Sequence, residues 1–343
     1  MLDIFTNDAF SVVSLTDMIN RAPYLPGRAG TVIDWNEQGV TQLSVLVEEF
    51  GNELRLVNPT PRGGPGETME KPGRTMRALV IPHYEIDDSV YADEVQGIRA
   101  FGSETILETV QGKVQQRLNM AAQLRLDPTL EYHRVGALRG IIVNRDGSVL
   151  YNLFNEFGIT QPETIAFDFD NVTGTGRIRR LGDQANRAVM RRLGGVGYSG
   201  LYAFVGDDFW DALVNHIEVR ETYLGQAEAS DLRNGTVYSV FNYGGITWEN
   251  YRGGIGGVDG AEHTPFIPPN EAQFFPTGVP GLFRTVYGPA DYIETVNTVG
   301  LPRYAKQFRM PNDKGIYLET QMNALSYCTR PTALVRGVMG ATL

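Results

Sequence analysis

Four histidines, one cysteine and a few short acidic runs are the residues of this 343-residue chain whose types suit chemistry. Zinc needs nitrogen and sulfur ligands gathered at close spacing. His83, His133, His216 and His263 are each dozens of residues apart, so they read as structural or surface histidines. Cys328 stands alone, which excludes an internal disulfide and any paired-cysteine metal site. Asp207, Asp208 and Asp211 are near enough to share a site, but helix starts collect acids because the helix dipole favours them there. Asp168 and Asp170 fall on one side of a strand; without a third oxygen ligand they read as a solvated edge. The glycine runs GGVGYSG (194–200) and GGIGGVDG (253–260) lack both the strand-to-helix context and the lysine of a phosphate loop. No catalytic residue, cofactor site or metal site is expected. The arginines are the remaining candidates. Arg177, Arg180, Arg187 and Arg191 line one face of a helix over 177–193, beside an apolar face of Ile178, Leu181, Ala185 and Ala188. A guanidinium fork suits phosphate and carboxylate alike, so these residues face either nucleic acid or the acids of an adjoining subunit.

The elements that must position such residues centre on 103–126, SETILETVQGKVQQRLNMAAQLRL. At about 100° per residue, Ile106, Leu107, Val110, Val114, Leu118 and Ala121 share one third of the wheel. The segment reads as an amphipathic spine helix roughly 36 Å long, capped by Ser103 and ended by Asp127-Pro128, with a second short helix to about Leu138. Gly112 lies on its polar side, either a harmless exposed glycine or a place where the spine bends.

Ahead of the spine, residues 1–39 carry a short helix at Leu15–Arg21 and then PYLPGRAG, and read as an arm. Leu43, Val45 and Val47 alternate as in a half-exposed strand, with a turn at Gly51-Asn52 and a short return ELRLV. A proline- and glycine-rich tip (58–73) then leads to a strand over 74–82. Such a flap cannot bury its own apolar residues, because paired strands alone are marginal in water, so a neighbouring subunit is the expected partner. Beyond the spine, Asp146-Gly147 marks a hairpin over 140–154, and 164–171 continues that strand region. YAFVG followed by DDFWDALVN reads as a strand running into a helix capped by Asp207 or Asp208. The last seventy or so residues read as short strands and turns.

The totals set bounds. Net charge is −10, which argues against a chain that coats nucleic acid through its overall field. No run of about eighteen apolar residues occurs, so no membrane helix is expected. The acidic start MLDIFTNDAF is unlike a signal peptide. The fold class is α+β, with two compact regions and two long projections.

Eight strings, in order, carry a resemblance: LDIFTNDAFSVVSLTDMIN, YADEVQGIRAFGSE, EYHRVGALRG, LYNLFNEFG, HIEVRETYL, YGGITWENYRGG, FFPTGVPGLF and YGPADYIETVNTVGLP. Together they resemble the lambda-type phage major capsid protein E family over essentially the whole chain. That resemblance implies the Hong Kong 97-type capsid fold: an N-terminal arm at 1–39, an E-loop at 40–86, and a P-domain with the spine helix at 87–195. It further implies an A-domain at 196–320 and a return to the P-domain at 321–343. The implied function is non-enzymatic: self-assembly as hexamers and pentamers into an icosahedral shell around double-stranded DNA held without sequence specificity. Decoration, scaffolding and portal proteins are the other implied partners, with assembly in the host cytoplasm and residence in the virion. Within the E-loop, Arg62, Lys71, Arg74 and Arg77 are expected to pair with acids of neighbouring copies. Two other readings stand beside this one: a soluble oligomeric enzyme with Asp207, Asp208 and Asp211 in a cleft, or a decoration or tail protein.

Overall fold

The computed structural model describes residues 27–49, 75–96, 110–170, 176–224, 240–255 and 264–340. In chain order the elements begin with α1 (Arg28–Val32), β1 (Trp35–Gly39), β2 (Ser44–Glu49), β3 (Thr75–Val80) and β4 (His83–Tyr91). The spine follows as α2 (Val110–Ala121), a π-helical turn (Ala122–Leu126) and α3 (Asp127–Arg139). Then come β5 (Ile141–Val143), β6 (Val149–Asn152), α4 (Leu153–Phe157), β7 (Ile165–Phe167), α5 (Arg177–Arg192), β8 (Gly200–Val205), α6 (Asp207–Asn215) and α7 (Ile217–Leu224). The chain closes with β9 (Val240–Tyr243), β10 (Ile246–Asn250), β11 (Gly254–Ile255), β12 (Thr264–Pro265), β13 (Glu271–Thr277), β14 (Phe283–Tyr287), β15 (Tyr304–Arg309), β16 (Gly315–Cys328) and β17 (Val335–Met339).

The spine does not stop at Asp127-Pro128, as proline there suggested. It runs on through α3 to a left-handed Gly140. A proline ring in a straight helix collides with the carbonyl four residues earlier and removes a hydrogen bond. Here the turn just before it is widened, with the Asp127 amide reaching back five residues to the Ala122 carbonyl. A π turn of this kind admits the proline without ending the helix. It also explains the buried stripe: Val114, Leu118, Ala122, Leu126 and Leu130 recur every four residues. In pure α geometry that spacing drifts about 40° per step; the wider turn takes back part of the drift. Gly112 lies in the regular part of α2, so the irregularity of the described spine is at 122–126.

Two sheets organise the molecule. The spine packs on β1-β14-β16-β15, with β4 pairing along β16. Val114 and Leu118 meet Val90, Ile316 and Leu318 on the near face of that sheet. The second sheet has the order β7-β17-β13-β8-β10-β9, with α5 and α6 packed on it through Ile178, Ala185, Val189, Phe209 and Leu213. Trp35, Phe204, Phe275, Phe283 and Tyr327 join the two in one apolar core, and Cys328 is fully buried there.

This pairing corrects several boundaries. A division at 320/321 would cut through β16, a single strand of 14 residues where short strands and turns were expected. The last strand, β17, pairs with β13 and β7 in the same sheet as β8, not in the sheet beside the spine. β7 joins that sheet too, while β5 and β6 form their own hairpin around left-handed Gly147. Nor is the arm free up to residue 39, because β1 lies parallel to β14 from Trp35 to Gly39.

Candidate interaction surfaces

The inner end of the leading segment is fastened to the spine by buried charge. Glu131 on α3 accepts from the amides of Ala29 at 2.7 Å and Gly30 at 3.1 Å, and from the Tyr251 hydroxyl at 2.8 Å. Burial, the largest influence, still pushes its ionisation up against those donors. One turn later Arg134, almost wholly buried, reaches Glu37 at 2.5 Å and lies over the Trp35 ring. Arg28 pairs with Glu249, which also accepts from the Tyr202 hydroxyl. Each pair has one buried partner, Arg134 or Glu249, whose charge would be stranded if the more exposed partner were removed. These pairs therefore fix where residues 27–39 sit. Residues 1–26 and the expected helix at Leu15–Arg21 lie outside the described residues.

The flap is two-sided. β2 pairs antiparallel with β3, Ser44 opposite Val80 and Val47 opposite Arg77, so the strands meet across the segment between them, as expected. One face tucks onto the protein's own core through Val47, Leu79 and Ile81, which corrects the expectation that all its apolar residues must wait for a neighbour. Arg77 shares that inner face and donates to the Asn155 carbonyl at 3.5 Å. The other face leaves Leu46 53% and Val80 60% exposed, and Leu43, just ahead of β2, is 68% exposed. Arg62, Lys71, Arg74 and the Gly51-Asn52 turn lie outside the described residues.

A second apolar projection was not anticipated. Ile293, Val296 and Val299 stand exposed on the loop between β14 and β15. That loop is anchored where Gly300 donates to Val40 and Val40 donates to Tyr287. A Cβ at Gly300 would lie 2.0 Å from the Tyr287 carbonyl oxygen, so only glycine fits. Its sequence, DYIETVNTVGLP, alternates too irregularly to reveal which side chains would be left out.

The four arginines divide. Arg177 pairs with Asp168 at 3.0 Å, and its amide and that of Ile178 are capped by Glu218 at 2.8 and 3.0 Å. These bonds wire it into the start of α5. Arg180, Arg187 and Arg191 are exposed and line a cleft of about 500 Å³ with Gln184, Arg192 and Glu163. The acids at the start of α6 do not form a cleft: Asp207, Asp208 and Asp211 are all exposed, and Gly206 is the N-cap. Asp207 instead accepts from the Asn250 amide at 3.0 Å. Among the histidines, His133 and His216 are buried and His83 bridges Asn323 and Glu85. His263 lies outside the described residues.

Comparison with known proteins bears directly on these surfaces. The family model for phage major capsid protein E matches residues 11–339. The major capsid protein of Pseudomonas phage KPP10 is 27% identical over 349 aligned positions, which cover 96% of each chain. That of Salmonella phage Felix O1 is 24% identical, over 97% of this chain and 98% of the relative. In structure, an Escherichia coli CFT073 prophage protein assigned as a capsid protein aligns with TM-score 0.60 at 15% identity, covering 96% of this chain and 99% of that one. A subunit of the mature capsid of bacteriophage PhiM1 aligns at TM-score 0.51 and 12% identity, over 92% and 88%. At such identities the structural likeness establishes the fold.

Proposed function

Since the chain belongs to the phage major capsid protein E family and has the Hong Kong 97-type capsid fold, we propose that its surfaces serve closed-shell assembly. It is a major capsid protein of a tailed phage, a structural component of the virion. The observation that carries the assembly reading is the flap's outer face. Leu46 and Val80 are exposed together on a two-stranded projection, with Leu43 exposed just ahead of it, and such apolar surface is stabilised by a partner surface. A shell subunit completes itself on its sister copies. Hexamers and pentamers enclosing double-stranded DNA, with assembly in the host cytoplasm, follow as the finer reading. So do contacts with decoration, scaffolding and portal proteins.

Charge fits the same picture. A net charge of −10 keeps a packaged polyanion from adhering to its container. Arg180, Arg187 and Arg191 are a local exception, directed at packaged DNA or at acids of an adjoining subunit. Arg62, Lys71, Arg74 and Arg77 of the flap are assigned to acids of neighbouring copies. Each exposed pair is worth only about 0–1 kcal/mol, which counts because a shell repeats it many times.

Electron microscopy and sedimentation of the purified, overexpressed protein test the assignment. Very large particles, or hexamers and pentamers, are expected; a small closed oligomer would favour the enzyme reading. Deleting Pro59 to Gly73 should leave soluble protein that forms no shells. Normal shells from that deletion would refute the role given to the flap.

A further inference from the structure

One cleft runs against the charge of the molecule. It lies between α5 and the start of β7, encloses about 500 Å³ and is lined by Arg180, Arg187, Arg191 and Arg192. Helical spacing gathers the first three: steps of seven and four residues return to nearly the same side of an α-helix, so they form one row. Arg187 and Arg191, four apart, repel each other. The chain as a whole has net charge −10, so acids are plentiful. Yet among the described residues none of these four guanidiniums has an ion-pair or hydrogen-bond partner. Asp183, the one acid of α5, pairs with none of them.

Arg192 supplies a second observation, independent of the row. It is half-buried, and its Nη1 is sealed from solvent with no hydrogen-bond partner. A buried donor is nearly always matched. Arg192 lines the cleft, and an acceptor held there comes within its reach. Ile165 and Val335, both buried, form part of the wall. Apolar walls lower the local dielectric and so strengthen the pull of the guanidiniums on an anion.

Size and donor number indicate the class of anion. A volume of about 500 Å³ falls within the roughly 300–1,000 Å³ of small-ligand sites. Each guanidinium carries five N–H donors in a planar fork. Four forks far outnumber the two oxygens of a carboxylate, whereas each phosphate group offers three strong acceptor oxygens and takes arginine in bidentate fashion. Glu163, exposed in the same lining, opposes any anion, so its removal has an effect of known sign.

We propose that this cleft is a phosphate-binding site, taking either a compact phosphate compound or a backbone phosphate of nucleic acid. The assignment rests on the reading of these arginines as directed outward from the subunit, and it chooses phosphate over the carboxylates of an adjoining copy. It gives an otherwise anion-repelling chain one place that holds a phosphate group.

Calorimetric titration of the full-length protein with pyrophosphate, at an ionic strength fixed with chloride, tests this. Saturable binding and a matching rise in melting temperature are expected. Arg187→Gln and Arg191→Gln should each weaken binding about 10-fold or more. Without pyrophosphate, the same variants should melt no lower than the wild type, because each removes one charge from a row of like charges; a lower melting temperature would mean that the arginines are structural, against the proposal. Glu163→Gln should tighten binding. A short DNA duplex and a polyglutamate peptide, added as competitors, separate the sources. Displacement of pyrophosphate by the duplex assigns the site to nucleic-acid backbone; binding that the duplex leaves untouched assigns it to a free phosphate compound. Polyglutamate that displaces pyrophosphate as well as the duplex does, or where the duplex does not, gives the arginines to acidic protein segments and overturns the proposal. No saturable binding by the wild type overturns it, and so does binding unaltered when Arg187 and Arg191 are both replaced. Particle formation is read separately by electron microscopy: shells that form while pyrophosphate never binds remove this site and leave the capsid assignment standing.

Discussion

His133 shows how a single buried side chain ties this fold to pH. It is 3% exposed in α3, with the Tyr84 hydroxyl 3.3 Å from its Nε2 and the Tyr84 and Tyr132 rings against it. Burial lowers its ionisation from the usual 6.5 to about 4. The folded protein thus holds a neutral imidazole where the unfolded chain would bind a proton as pH falls below about 6.5. Its stabilising effect is complete above that pH and is lost as pH drops toward 4, roughly 3 kcal/mol at full effect. Glu131 acts with the opposite sign: its raised ionisation favours the folded state at low pH and disfavours it as pH rises. His133→Gln should therefore flatten the fall in urea midpoint between pH 6.5 and 4. An unchanged pH slope in that variant would show that other groups govern the acid response.

At the scale of the element, the flap separates folding from assembly. Its inner strip, Val47 and Leu79 with Ile81, is part of the main core, and truncating Leu79 to Ala should cost about 2–5 kcal/mol of stability. Its outer strip, Leu46 and Val80, stands more than half exposed among the described residues. Leu46→Asp should leave the melting temperature of the subunit nearly unchanged, within the ~0.5 kcal/mol typical of surface positions. The same variant should abolish or strongly reduce shell formation by electron microscopy. A variant that unfolds, or one that assembles normally, would contradict this two-sided reading. The spine teaches a related lesson: Pro128 changes the pitch of a helix without ending it, because the π turn before it absorbs the clash.

On the scale of the whole molecule, the net charge of −10 and one local cluster of arginines pull in opposite directions. The acidic average would repel the DNA proposed as its contents, while Arg180, Arg187 and Arg191 gather in one cleft beside Arg192. Replacing Arg180 and Arg187 together by Gln distinguishes the two roles open to that cleft. Altered retention of packaged DNA with normal assembly, measured by nuclease protection in purified particles, is expected if the cleft meets DNA. Changed assembly with unchanged retention is expected if it meets acids of an adjoining subunit.

The sequence by itself determined the elements whose signal is local. The amphipathic stripe of the spine, the Asp146-Gly147 hairpin, the flap strands on either side of the proline-rich tip, and the α5 helix could all be read from periodicity and turn residues. An ordered set of strings along the chain also pointed to the capsid family. Tertiary structure alone decided what depends on pairing between distant strands. It placed β17 beside β13 and β7, ran β16 unbroken across the expected domain boundary, and set Glu319 against Asp87. It also gave Arg77 and Arg177 contacts within the chain, with the Asn155 carbonyl and with Asp168. The reason is physical: a hydrophobic period shows which face of an element is buried, whereas the identity of the partner depends on register and on contacts between residues far apart in the chain.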